Sequence, residues 1–123
     1  MNFEDKVFEI TVEGEKYKLV PVKREYSDKS LAIALVDLED GEVFSYLTTK
    51  LDGYTSNGQD CAFLDGNSSK TTLKVIEELN LGTPTGKVGF SGFSKYDEYR
   101  FDLEKLATEE EVNQYSNGNE QER

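Results

Sequence analysis

Six consecutive apolar residues, Leu31-Ala32-Ile33-Ala34-Leu35-Val36, restrict the fold of this chain more than any other stretch. Turn signals bound them, Ser27-Asp28-Lys29-Ser30 before and Glu39-Asp40-Gly41 after. A short apolar run so bounded fits a strand buried on both faces. Side chains alternate along a strand, so Leu31, Ile33 and Leu35 share one face and Ala32, Ala34 and Val36 the other. The large face needs a deep core, and the small face needs something packed closely on it.

The flanking segments supply neighbours for such a central strand. Phe8, Ile10 and Val12 alternate along one face, Glu13-Gly14-Glu15 turns the chain, and Tyr17 to Glu25 returns carrying Leu19, Val20 and Val22. Pro21 cannot donate to a ladder, which places it at an edge-facing or bulged position. Asp40-Gly41 suits the positive φ values of a type I′ hairpin, after which Val43 to Leu51 pairs back. Four strands joined by short turns make an antiparallel meander.

The pattern changes after Gly53. Tyr54 to Asp60 is a polar loop, and Ala62-Phe63-Leu64 is a short strand. Asn67, Ser68 and Ser69 offer capping oxygens for a helix over residues 71–81. Its apolar stripe is Leu73, Val75, Ile76 and Leu79, with Gly82 at the C′ position and Pro84 as the stop. Thr85 to Ser94 is Gly-rich and irregular, and Tyr99, Phe101 and Leu103 alternate as a last strand. From Ala107 onward little apolar surface remains, so residues 107–123 read as an acidic, disordered tail with at most a helical turn at Thr108 to Glu111. The whole is a single α+β domain over residues 1–106: an antiparallel meander of about five or six strands with one main helix packed on one face.

Charge is set unevenly along this chain. There are 25 Asp and Glu against 14 Lys and Arg, for a net of −11. Between Leu31 and Gly66 lie Asp37, Glu39, Asp40, Glu42, Asp52, Asp60 and Asp65 against Lys50 alone, a net of −6. Such a field repels nucleic acid and anionic membranes and attracts basic clefts. Those seven acids are therefore the candidate partner-binding residues, with Tyr96, Asp97 and Glu98 as a secondary group.

Composition also removes chemistry. Histidine is absent, which takes away the commonest base near neutral pH and every Ser-His or Cys-His pair. Cys61 is the single cysteine, so no intrachain disulfide and no cysteine metal cluster can form. No catalytic residue, metal site or cofactor is expected. The acidic start Met1-Asn2-Phe3-Glu4-Asp5 lacks the pattern of an export signal, which fits a reducing cytoplasm. Gly82-Thr83-Pro84-Thr85-Gly86-Lys87 superficially resembles a phosphate-binding loop, but its spacing is one residue short and Val88 stands where Ser or Thr is required. Gly86-Lys87-Val88-Gly89 has the spacing of an RNA clamp, without the flanking helices or the attractive field. Asp37, Glu39, Asp40 and Glu42 lack the ligand order of a calcium loop.

The segment Pro84-Thr85-Gly86, Ser91-Gly92-Phe93, Tyr96 and Tyr99-Arg100-Phe101-Asp102 resembles a family of small bacterial proteins. Those proteins end in a Pro-Thr-Gly, Ser-Gly-Phe, Tyr-x-x-Tyr-x-Phe signature. Leu31 to Leu35 and Leu47 to Gly53 are similar to the same family, and the likeness spans residues 15–103. The chain departs from the pattern at Asp52 and Asp97, where the family often carries proline. The resemblance implies cargo of conjugative and integrative elements and of phages, and it brings no catalytic residues with it. In that setting the expectation is an inhibitor of host defence. The form expected is an anti-CRISPR protein that binds a Cas9-type effector, or else a restriction enzyme, by mimicking DNA in its basic cleft. The alternative is a non-catalytic accessory or adaptor domain in element maintenance or transfer.

Overall fold

The computed structural model describes residues 2–55, 57–65 and 69–121. The domain is α+β and mostly antiparallel, as its alternation predicts, but the eight strands among the described residues form two sheets rather than one. The first sheet is the expected meander of β1 (Phe8–Val12), β2 (Glu15–Glu25), β3 (Leu31–Asp37) and β4 (Val43–Tyr46) in sequential order. The second contains β5 (Thr48–Thr49), β6 (Cys61–Leu64), β7 (Gly82–Ser91) and β8 (Ser94–Phe101), ordered β5-β6-β8-β7. Helix α1 (Ser69–Leu79) precedes β7, and helix α2 (Glu109–Gln121) ends the described chain.

The two faces of β3 build two cores. Leu31, Ile33 and Leu35 join Phe8, Ile10, Leu19, Leu47, Leu64, Val75, Ile76 and Phe101 in the main core between the sheets and α1. Ala34 and Val36 face the other way and join Val20, Val22 and Leu38 in a second cluster. What covers that second face is the segment read as a tail. Ala107 and Val112 are buried in the cluster, and Phe3, Val7 and Tyr115 pack against it. The Phe3 and Tyr115 rings stack with centroids 5.5 Å apart. The boundary expected after Leu106 thus runs through packed structure. The Lys6 ammonium, almost fully buried, donates to the Leu106 carbonyl at 3.1 Å and faces Glu111 at 3.4 Å. Arg24 meets Glu109 at 2.8 Å.

Sheet geometry explains why Ala107 fits there. β1 pairs only with Glu15 to Leu19 of the longer β2, so β2 continues past its neighbour. Ala107 takes the vacated place beside Val22, donating to the Pro21 carbonyl and accepting from the Lys23 amide, both at 2.8 Å. Pro21 lies where the ladder partner changes, and the donor it lacks is not called on. Thr108 then caps α2 by a reciprocal pair of bonds. Its hydroxyl accepts from the Glu111 amide and the Glu111 carboxylate accepts from the Thr108 amide, both at 3.1 Å.

Four local expectations are corrected. The type I′ turn lies at Glu13-Gly14, where both φ values are positive (51° and 85°), whereas at Asp40-Gly41 only Gly41 is (74°). The stripe of α1 is Thr72, Val75, Ile76 and Leu79, and Leu73 is 43% exposed. The capping positions Asn67 and Ser68 lie outside the described residues. Asn80, at φ 51°, is the left-handed residue after α1, and Gly82 opens β7 instead of ending the helix. Residues Thr85 to Ser91, read as irregular, belong to that strand. Its register shifts between Pro84 and Val88, and this bulge hid the strand from a period-two reading.

Gly82 is required by close approach. A Cβ there would collide with the Arg100 carbonyl oxygen, a backbone atom that cannot swing aside. Gly82→Ala is expected to cost roughly 1–3 kcal/mol, as overpacking does elsewhere. Urea denaturation of the purified variant measures this, and an unchanged midpoint would mean that β7 shifts without penalty.

Candidate functional site

Both turns at one end of the first sheet carry acids. Val12 pairs with Glu15 across the β1–β2 turn, and Asp37 pairs with Leu19 where β3 leads into its turn with β4. That second turn is closed by the Asp37 amide on the Glu42 carbonyl and the Gly41 amide on the Asp37 carbonyl, both at 2.8 Å. The carboxylates stiffen it. Asp37 accepts from the Glu39 amide and Asp40 from the Glu42 amide, each at 2.9 Å, and Leu38 is anchored in the second core. Asp37 and Asp40 therefore spend acceptor capacity inside the turn, while Glu39 and Glu42 project into solvent.

Between the two turns lies an aromatic pair that the sequence reading missed. Tyr17 and Phe44 have ring centroids 5.2 Å apart. The Tyr17 hydroxyl donates to Glu15 at 2.9 Å. That bond, with the negative charges of Glu15, Asp37 and Glu13, raises the phenol above its ordinary pKa. Five residues, Glu13, Glu15, Asp37, Tyr17 and Phe44, thus form one acid-rimmed aromatic face. Glu13 and Glu15 escaped notice because bases balance the acids over residues 1–30; only the pairing of β1 with β2 brings them beside the β3–β4 turn.

The remaining candidates are attached elsewhere. Asp52 is exposed in the turn after Leu51. Asp60 is half-buried beside Arg100 at 3.5 Å, and its carbonyl accepts from the Phe101 amide at 2.8 Å. Asp65 is half-buried after β6, with its amide on the Leu47 carbonyl at 2.9 Å. These three belong to the second sheet and its loops, so the seven acids do not make one surface. Among the described residues, no group of three or more Asp, Glu or Cys is arranged to hold a metal ion.

Glu98, taken from sequence as a contact residue, is instead an internal latch. It is 0% exposed. Its carboxylate accepts from the Asn57 amide at 3.0 Å, the Asn57 side-chain amide at 2.8 Å and the Thr85 hydroxyl at 2.7 Å. The β7 bulge makes this possible by turning Thr85 inward, and the Lys87 ammonium donates to the Thr55 carbonyl over the same loop. Tyr96 is half-buried, and Asp97 is exposed 4.0 Å from Lys95.

Beyond Tyr96 the β7–β8 hairpin ends in a two-residue tip. Ser91 pairs with Ser94, Gly92 takes φ 61°, and Phe93 is 110% exposed with Phe90 at 57%. A cavity of about 240 Å³ lies between the β2–β3 turn and the loop before β6, walled by Tyr26, Lys50, Tyr54, Cys61 and Phe63. Burial and the neighbouring Asp60 push the Cys61 thiol pKa up, the opposite of nucleophile activation. The Lys50 and Ser30 bonds hold the Asp28 carboxyl well below the usual carboxylate range, and the Asp28–Lys50 pair stands at the cavity rim.

Among the described residues, no helix is long and apolar enough to cross a membrane. No curated protein and no solved structure matches the chain. A family model described as a domain of unknown function (DUF4313) matches residues 20–119, from the middle of β2 into α2. The match takes in the acidic turn, the latch and the aromatic tip, and by it the chain belongs to the DUF4313 family.

Proposed function

We propose that this protein is a non-catalytic inhibitor that occupies the nucleic-acid-binding cleft of a basic protein. In its sharper form the reading is an anti-CRISPR protein acting on a Cas9-type effector, or an anti-restriction protein acting on a restriction enzyme, in the cytoplasm of a host. The observation that carries it is the braced acidic end of the first sheet. Two short turns hold its backbone at the end of one sheet, so little backbone entropy is lost when Glu39 and Glu42 meet a partner. Strand spacing separates the two turns by roughly 10–15 Å, a scale on which a row of phosphates would also present its charge. Lys and Arg that normally neutralise phosphates would pair with these carboxylates by charge-assisted bonds. The absence of histidine and of a cysteine pair from the chain is compatible with competition that requires no chemistry.

The test is a titration into a guide-loaded Cas9-type effector and into a type II restriction enzyme, over rising salt and with competing DNA. Binding should weaken steeply with salt, and DNA should displace the protein. Reversal of Glu39 and Glu42 to Lys, leaving the turn-bracing Asp40 in place, should weaken binding at least 100-fold while the circular dichroism spectrum stays unchanged. Binding that ignores salt, DNA and this reversal would overturn the reading. One observation favours the second reading, a non-catalytic adaptor in element maintenance or transfer: the exposed aromatic hairpin tip is an anchor that phosphate mimicry does not use.

A further inference from the structure

We propose that the protein associates with itself head to tail. The β7–β8 hairpin tip of one molecule places Phe93 and Phe90 on the Tyr17–Phe44 face of the next. It does not rest on the target proposed above, although its acceptor face is part of the same acidic end.

Four of the exposed large apolar residues group in two places. Phe90 and Phe93 stand at the hairpin tip, while Val12 and Phe44 lie at the acidic end of the first sheet on the side of Tyr17; Val43, paired with Val36, points to the opposite face. A solitary exposed aliphatic residue such as Leu73 is ordinary, but a phenylalanine with its whole surface in water at a glycine turn is a ready anchor. Charge then selects the pairing. From Lys87 to Lys95 there are two lysines and no acid, in a chain whose net charge is −11. The Lys87 ammonium is engaged with the Thr55 carbonyl, which leaves Lys95 as the cation beside the tip, and its 4.0 Å contact with Asp97 is between two exposed side chains. The Tyr17–Phe44 face is rimmed by Glu13, Glu15 and Asp37.

Tip against tip would oppose lysines, and acidic end against acidic end would oppose carboxylates. Only the unlike pairing joins apolar to apolar and positive to negative. It also brings together two unpaired sheet edges, because β4 ends the first sheet and β7 ends the second. Edges of this kind tend to pair unless they are blocked. Pro84 and the bulge interrupt β7 only before Val88, leaving Val88 to Ser91 regular. A contact between different surfaces does not close on itself in a dimer, so assembly continues into rings or short chains. With two aromatic side chains and one charge pair as its anchors, the contact is expected to be weak, with a dissociation constant on the order of 10–500 μM.

Sedimentation velocity from about 10 μM to 1 mM, at low and high salt, tests this. The mean mass should rise past the dimer at low salt and fall back at high salt. Phe93→Ser and Phe44→Ser should each remain monomeric, with circular dichroism reporting intact folds. Mixed together, the two variants should form a one-to-one dimer and nothing larger, since each retains one intact half. As a second pair, Lys95→Glu and Glu15→Lys should each weaken assembly and should restore it in combination. A wild type monomeric at 1 mM in low salt overturns the proposal. So does a Phe93→Ser mixture that fails to complement while Phe44→Ser alone assembles, which would show tip-to-tip pairing. Flotation of a monomeric wild type with zwitterionic lipid vesicles, lost in Phe93→Ser, would overturn it in favour of a lipid surface.

Discussion

Ending the chain after Thr108 is expected to destabilise the domain by several kcal/mol. Val112 is buried to 7% exposure, and burial of a valine contributes about 1.5–3 kcal/mol. The same truncation uncovers Val22, Val36 and Leu38, removes the Tyr115 ring from Phe3, and leaves the Lys6 ammonium without Glu111. A buried charge that loses its partner is a further large penalty. Against a total stability of about 5–15 kcal/mol for a domain of this kind, the loss is a third or more. Thermal unfolding followed by circular dichroism should show a midpoint lower by on the order of 10–20 °C. A midpoint within about two degrees of the full chain would mean that α2 rests on the sheet without supporting it. Val112→Asp should reproduce most of the loss within the full-length chain, separating burial from chain length.

Replacing Glu98 should have an effect of similar size for a different reason. Three donors converge on its carboxylate inside the protein. Hydrogen bonds to a charged group contribute about 1.5–3 kcal/mol each, and leaving buried donors unmet adds their desolvation cost. Glu98→Ala is therefore expected to lose roughly 3–5 kcal/mol by urea denaturation. Glu98→Gln should lose only about 1–2 kcal/mol, because its amide oxygen can accept from the Asn57 backbone while Asn57 and Thr85 reorient to accept from its NH₂ group. Hydrogen exchange at Asn57 should quicken in both variants, more in the alanine. A Glu98→Ala protein within 1 kcal/mol of the wild type would show that water replaces the latch.

The legible parts of the fold were those in which residue type and period agreed. Leu31 to Val36 announced a strand with two unlike faces, and the structure gives each face its own core. The N-terminal alternation gave the order of the first sheet. What escaped depended on partners distant in sequence. Val112 and Tyr115 look isolated among polar residues, yet two well-placed side chains suffice when they complete a cluster that β2 and β3 have already built. The Thr108-Glu109-Glu110-Glu111 capping pattern was visible, and it marked a helix longer than a single turn. Thr72 displaced Leu73 from the stripe because the direction of α1 is set by its packing against β1, not by its own composition. Glu98 lies between Asp97 and Tyr99 in a strand, where alternation suggests exposure; its burial comes from a loop some 40 residues earlier. Of the candidate site, the acids of the β3–β4 turn were found from sequence, and the acids of the neighbouring turn were hidden by local charge balance.

The place Ala107 takes beside β2 also orders events in time. The first four strands are adjacent in sequence and can zip together as soon as they exist, but one side of their sheet stays bare until the segment from Ala107 onward arrives. Lys6 finds Leu106 across 100 residues. Loop closures of that length slow folding, and until they occur the bare valines are exposed to other chains. A ribosome-bound fragment ending before Ala107 would carry a completed meander with an uncovered apolar back, which is the surface a chaperone recognises. The segment that begins at Ala107 decides when this domain stops being sticky.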